Sequence, residues 1–280
     1  MNFKRCHIYI PSTSRADVNM TFLALPMDWR RRTTIVVGRG EKLDYQKRFP
    51  KYANIIECPK KGIGKVRQWI IDNTEAKYVL MFDDDLRFAT RVKKGEIKLR
   101  PCDQEDVDKI LRILFGYMLR DKFVHVGLAK RTEASFFLCD HRTVVRQNNV
   151  HGFNVRKLRR LKKKGVRFDL MELMEDFHVT LRLFELGYPN KVLFDYTWDQ
   201  RGSNYRGGCS TYRDGKTQKR AALALKDLHP KFVEVVKKEV KAAASWNDMK
   251  VRYDVRIQWR KSYTGEEDSH WELERKSLRK

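Results

Sequence analysis

Short apolar runs and longer helical periodicities alternate along most of the chain. His7–Ile10 and Thr33–Val37 are apolar runs closed by Pro11 and Gly38, and Asn54–Cys58 repeats the pattern. Val66, Trp69, Ile70 and Asn73 then fall at helical spacing, with Gly62 and Gly64 at the start. Tyr78–Phe82 is a continuous apolar run, as expected of a strand buried on both faces. Val107, Ile110, Leu111, Leu114, Phe115 and Met118 mark an amphipathic helix with Asp103 as N-cap. Val124–Leu128, Ser135–Cys139 and Val192–Tyr196 read as strands, and Asp176–Leu186 as a helix stopped by Gly187. Trp198–Gly215 is a long loop rich in Gly, Ser, Arg and Tyr. Thr217–Leu225 and Lys231–Ala243 are predicted helical. The alternation of Val251, Tyr253, Val255, Ile257 and Trp259 with polar residues predicts a half-exposed strand.

This order predicts an α/β fold, a mostly parallel sheet flanked by helices. One domain is expected over residues 1–260, with a helix and strand as its C-terminal extension, followed by a charged tail, 261–280. The 41% hydrophobic fraction supports a core and argues against disorder. Apolar runs of about five residues fall far short of the ~20 that cross a bilayer. With no signal-peptide pattern at Met1–Arg5, the expectation is a soluble cytoplasmic protein with no membrane partner. Cys6, Cys58, Cys102, Cys139 and Cys209 are scattered and form no CxxC pair, which leaves neither a zinc knuckle nor a disulfide framework.

Charge changes the picture. Sixty Lys and Arg against 36 Asp and Glu leave +24, a surplus that calls for a polyanionic partner, nucleic acid first.

Two acidic segments carry the candidate chemistry. The run Tyr78–Phe82 ends in Asp83-Asp84-Asp85, at the strand end where open α/β sheets bind ligands. Along an extended chain Asp83 and Asp85 point one way and can share a divalent metal, while Asp84 points away. The bland alternative is a helix cap or a solvated turn. The second segment, Glu175-Asp176, opens a helix, where acids suit the macrodipole and a carboxylate can also serve as a general base. Gly62-Ile63-Gly64-Lys65 fails as a P-loop, since Pro59 stands where Gly is needed and Val66 where Ser or Thr is needed. Lys65 and Arg67 instead suit phosphate at a helix start, or simply form a basic exposed face.

Taken together these segments resemble glycosyltransferases of the GT-A, Rossmann-like fold. Phe82–Asp85 resembles the metal-binding DxD of that fold. Glu175-Asp176, Leu181-Arg182-Leu183 and Gly187-Tyr188 resemble the ED…LRL…GY block of family-2-like inverting enzymes, and Ile8–Arg15 resembles the first strand and nucleotide loop. The Arg15 loop, Gly62–Arg67, Gly207-Gly208-Cys209 and the basic charge resemble the Tet/base-J-associated glycosyltransferases, linked to sugar addition on hydroxymethylated DNA bases, including those of phages.

The resemblance implies that Asp83 and Asp85 hold Mn²⁺ or Mg²⁺ against a diphosphate, with His229 as a further ligand. It implies that Asp83 or Asp84 meets the ribose, that Pro11, Thr13 and Arg15 bracket the nucleotide, and that Asp176, or else Glu175, deprotonates the acceptor. The expected reaction is inverting transfer of a hexose, glucose, from a UDP-sugar to a hydroxymethylated pyrimidine in DNA. The alternatives are a protein or polysaccharide acceptor, and a basic nucleic-acid-binding protein without chemistry; clustered carboxylates disfavour the last.

Overall fold

The apolar run Tyr78–Phe82 forms a strand buried at every position. Its alternate side chains serve two cores: Leu80 and Phe82 on one face, Val79 and Met81 on the other. The computed structural model describes residues 3–17, 19–200, 208, 213–239 and 251–265. Its strands are β1 (Cys6–Ser12), β2 (Thr33–Gly38), β3 (Asn54–Cys58), β4 (Tyr78–Phe82), β5 (Leu86–Arg91), β6 (Leu99–Pro101), β7 (His125–Lys130), β8 (His141–Thr143), β9 (Val150–Asn154), β10 (Asn190–Gln200), β11 (Val233–Glu239) and β12 (Val251–Ile257). The helices are α1 (Met20–Ala24), α2 (Met27–Arg30), α3 (Lys42–Arg48), α4 (Ile63–Asn73), α5 (Gln104–Leu119), α6 (Arg131–Ala134), α7 (Val155–Leu161), α8 (Glu175–Glu185) and α9 (Gly215–Leu228).

The main sheet has ten strands in the order β3-β2-β1-β4-β9-β7-β10-β5-β6, with β8 also paired to β10. From the pairings, β5, β8 and β9 run against the other seven, so the sheet is mostly parallel, as predicted. Side chains of α1, α2, α3 and α5 fill one face, those of α4, α7 and α8 the other. Asp103 caps α5 in a reciprocal box with Asp106.

Two predicted elements are corrected. Lys231–Ala243 is not a helix: Val233–Glu239 forms β11 and pairs antiparallel with β12, while 240–243 lie outside the described residues. Val233, Val235 and Val236 are β-branched and fit a pleated surface, and Val233 joins Leu181, Leu225 and Ile257 in a core between the hairpin, α8 and α9. Ser135–Cys139 is not a strand either. Turn hydrogen bonds run from Phe136 N to Glu133 O and from Phe137 N to Ala134 O, and β8 takes the place beside β10.

Most of the predicted long loop, 201–207 and 209–212, lies outside the described residues, as do Cys209 and 266–280 of the predicted tail. Packing continues past residue 260, where Ser262 is buried and Tyr263 sits edge-on to Phe184. Among the described residues no helix is long and apolar enough to cross a membrane.

Candidate active site

At the end of β4 the three aspartates separate as an extended chain requires. Asp83 and Asp85 line a cleft of about 450 Å³, while Asp84 turns into the protein. Ser12 Oγ donates to Asp84 Oδ2 at 2.6 Å and shares a 2.7 Å hydrogen bond with the Tyr45 hydroxyl. Arg15 Nη1 donates to Asp84 Oδ1 at 2.9 Å and to Asp85 Oδ2 at 3.3 Å. Asp83 accepts from Arg67 Nη2 at 2.7 Å and from Asn149 Nδ2 at 2.9 Å. Asn149 stands there because Val150 pairs with Phe82, and it adopts the left-handed conformation at φ 60°.

The second acidic pair enters from α8. Glu175 is buried and accepts from Arg67 Nη1 at 2.6 Å. Asp176, half-buried, lines the same cleft as Asp83 and Asp85, and among the described residues no ion pair reaches its carboxylate. Arg67 can join both acidic segments because α4 approaches so closely. A Cβ on Gly64 would lie 2.6 Å from the carbonyl oxygens of Met171 and Phe168. Gly64 removes that clash, and Arg67 follows three residues on, on the same helix face.

Acids and cations crowd the cleft together: Asp83, Asp85, Glu175 and Asp176 line it with Arg15, Arg67 and Arg146. Burial, with repulsion from Asp83 and Asp84, pushes the Asp85 carboxyl up to about 6 against the pull of Arg15. Burial raises Asp84 as well. Burial pushes Glu175 up to about 7 despite Arg67, and it raises its neighbour Asp176 too, with Arg67 and Arg146 opposing. Carboxylates in this state gain from a cation. Asp83 and Asp85 provide hard oxygens of the kind that hold Mg²⁺ or Mn²⁺, ions that keep waters and take substrate phosphates as further ligands. Among the described residues no third His, Cys, Asp or Glu completes a protein cage. The pair therefore fits a cation shared with a diphosphate better than a closed structural site.

The sequence matches the family of TET-associated glycosyltransferases over residues 6–208, from β1 past the end of β10 and through both acidic segments. The chain belongs to that family. This glycosyltransferase is similar to the "Beta-glucosyl-HMC-alpha-glucosyl-transferase" of Enterobacteria phage T6, 26% identical over 238 residues, and to that of phage T2, 24% over 240 residues. Both alignments cover 80% of each chain. Among solved structures it shares its fold with S. aureus TarS in complex with UDP-GlcNAc, at TM-score 0.50 and 12% identity. That likeness covers 79% of this chain and 66% of the TarS chain, slightly under two thirds.

Of the donor-side residues predicted for this glycosyltransferase, Arg15, Arg67 and Asp83 line the cleft; Pro11, Thr13, Lys65 and Asp84 do not. Pro11 is held in β1 opposite Val36, and the Thr13 carbonyl accepts from Gly208 N at 3.0 Å. Asp84 is buried and accepts from Ser12 and Arg15, facing away from the cleft where a ribose would lie. Lys65 points from the exposed face of α4 into a different cavity, with Lys60 and Lys61. The Arg67 guanidinium is held by the carboxylates of Glu175 and Asp83. His229 is corrected as well. Fully buried at the C-terminus of α9, its ring lies 2.9 Å from both His178 Nδ1 and Glu185 Oε1, and it does not line the aspartates' cleft. Sequence reasoning missed Ser12, Tyr45, Asn149, Arg146 and Gln200. Only Ser12, inside the quoted Ile8–Arg15 segment, carried a signal.

Proposed function

We propose that this glycosyltransferase moves glucose from UDP-glucose to the hydroxyl of a hydroxymethylated pyrimidine in DNA, with inversion and with Mn²⁺ or Mg²⁺ at Asp83 and Asp85. The observation that supports the reading is Asp176: it lies in the first turn of α8 in the cleft shared with Asp83 and Asp85, and among the described residues no ion pair reaches its carboxylate, whereas Arg67 locks its neighbour Glu175. Asp176 is therefore the base that accepts the acceptor hydroxyl's proton, and Glu175 the group that fixes Arg67. A raised carboxyl is the stronger base once ionised, which suits proton removal near neutrality.

The metal, when bound, supplies Lewis-acid relief of the charge that builds on the departing diphosphate. Arg67 and Asn149 orient Asp83, and Arg15 orients Asp85. With one base positioned for a single displacement, the acceptor oxygen attacks opposite the leaving group and the anomeric centre inverts. The acceptor class is supported by the phage relatives, whose names join glucosyl transfer with HMC, hydroxymethylcytosine. The +24 charge of the chain suits such a polyanion.

The test is a panel of sugar nucleotides incubated with duplexes that carry cytosine, hydroxymethylcytosine, hydroxymethyluracil or glucosylated hydroxymethylcytosine. Nucleoside mass spectrometry should show one added hexose on hydroxymethylated DNA alone, with UDP-glucose as donor. The anomeric proton coupling of the product reports inversion. Sugar on protein or polysaccharide, and none on any DNA, would overturn the acceptor assignment.

A further inference from the structure

Beside the catalytic cleft lies a second cavity of about 520 Å³, whose walls include Phe137, Arg142, Arg146, Trp259, Arg260 and Lys261. The two cavities share a wall, since Arg146 lines both. Phe177, the residue after Asp176, packs against that shared wall from the cleft side. The Arg146 guanidinium stands 4.9 Å over the Phe177 ring, and Trp259 meets that ring edge-on at 5.5 Å. The second cavity therefore adjoins, across Arg146 and Phe177, the cleft that Asp176 lines.

The chemistry of the walls is specific. Arg146, Arg260 and Lys261 line it with a single acid, Glu133, while a fourth cation, Arg142, is buried against the Phe137 and Phe194 rings. Arg142 sits 3.9 Å over the Phe137 ring and fixes its orientation. Cations interleaved with flat rings suit a strand whose phosphates pair with the cations while its bases stack. The turn that carries Phe137 also turns two apolar side chains outward: Phe136 is 80% exposed and Leu138 56%. Exposed wedges of this kind enter a base stack and fill the gap that a departing base leaves.

Resting on the nucleic-acid reading of the acceptor, we propose that this groove holds the DNA strand next to the acceptor nucleotide, and that Phe136 and Leu138 replace the acceptor base in the duplex as it swings to Asp176. The groove takes phosphates and one stacked base, and the wedge acts only where a stack has to be opened.

The test uses the full chain with UDP-glucose and one hydroxymethylcytosine placed in single-stranded DNA or in a duplex. Lys261→Glu, at an exposed position, should raise KM for both DNAs and flatten the salt slope of binding by about one contact, ~0.7 to 0.9 per phosphate. Phe136→Ala with Leu138→Ala should lower kcat/KM on the duplex about tenfold or more, while single-stranded DNA loses much less. A 2-aminopurine beside the acceptor base should brighten on binding wild type and less with the double variant. Unchanged melting temperatures and unchanged KM for UDP-glucose show that the variants are folded. If wild type glucosylates DNA and Lys261→Glu leaves DNA KM and salt slope unaltered, the groove is wrong and the acceptor class stands. Equal losses on both DNAs for the double variant overturn the wedge. No DNA glucosylation by wild type sinks the acceptor reading itself, and the groove with it.

Discussion

Arg67 and Glu175 lie 108 positions apart in sequence and meet at 2.6 Å, both buried. The same guanidinium holds Asp83 at 2.7 Å, so one side chain on α4 sets the relative position of the two acidic segments. Arg67→Ala strands Glu175 without its cation, which typically costs about 3–5 kcal/mol. Arg67→Lys keeps the charge but cannot offer a planar fork to two acids at once. We expect urea unfolding to show the large loss for Ala and a smaller one for Lys. Transfer should fall at least about tenfold in both, since misplacement near the reacting centre is expensive. Full activity in Arg67→Lys would show that this geometry does not matter to transfer.

The two neighbouring acids separate by pH and by substitution. Asp176→Asn should lower kcat by about 10²-fold or more with little change in KM for UDP-glucose. Glu175→Gln should retain more activity, because Gln can still accept from Arg67. The base must be ionised, so kcat/KM should fall on an acidic limb that lies above the usual carboxylate range, because burial raises Asp176. The sign for stability is opposite. A carboxyl raised from 4.5 to about 7 in the folded state binds its proton better there than in the unfolded chain. Its contribution is present below the unfolded pKa and is lost as pH rises through about 7. Thermal melts from pH 5 to 8 should therefore slope downward from this group, and Glu175→Gln should flatten the slope. An unaltered slope would sink this account of Glu175.

What could be read in the sequence follows the reach of each signal. β1 to β4 and helices α4, α5 and α8 were legible because apolar spacing is local, and so was the split of Asp83 and Asp85 from Asp84. The role of Arg67 was not, because it depends on Gly64 letting α4 close on residues 168–171, a contact between distant segments. Val233–Glu239 was misread because Val233, Val235 and Val236 also satisfy a helical spacing, and pairing with β12 decides the outcome. His229 was expected among the carboxylates because the resemblance implied a later His as a further ligand. Its partners, His178 and Glu185, lie further along α8 than the residues that reach the cleft.

Metal dependence can be read without the acceptor. Asp85 pairs weakly with Arg15 and feels two neighbouring aspartates, so a divalent cation relieves repulsion there. Mn²⁺ or Mg²⁺ should raise the melting temperature in the presence of UDP, and Asp85→Ala should remove that rise without unfolding the protein. Transfer should stop in excess EDTA and return with metal. Full transfer in EDTA would remove the cation from the mechanism.

The last expectation concerns how much of the positive charge is available to DNA. Several cations in the basic clusters are committed inside the protein. Arg30 bonds the carbonyls of Leu23 and Leu25, Arg159 those of Ile71 and Thr74, and Arg67 its two acids. Lys60 and Lys61 before α4, Lys65 on α4, Lys163 and Lys164 after α7, and Lys216 and Lys219 on α9 stay at the surface. If six such groups meet phosphates, affinity should fall about 10³-fold between 50 and 200 mM salt through counterion release. These contacts place the duplex without reading its sequence, so binding should be nearly indifferent to sequence and to base modification. Selectivity then rests on chemistry, because only a hydroxymethylated base offers Asp176 a proton. Fluorescence anisotropy on matched duplexes with and without hydroxymethylcytosine, titrated against salt, measures both halves. Equal binding with unequal glucosylation fits this division of labour. Strong discrimination at the binding step would move selectivity from the hydroxyl to the pocket around it, and no binding at low salt would point to a protein or polysaccharide acceptor.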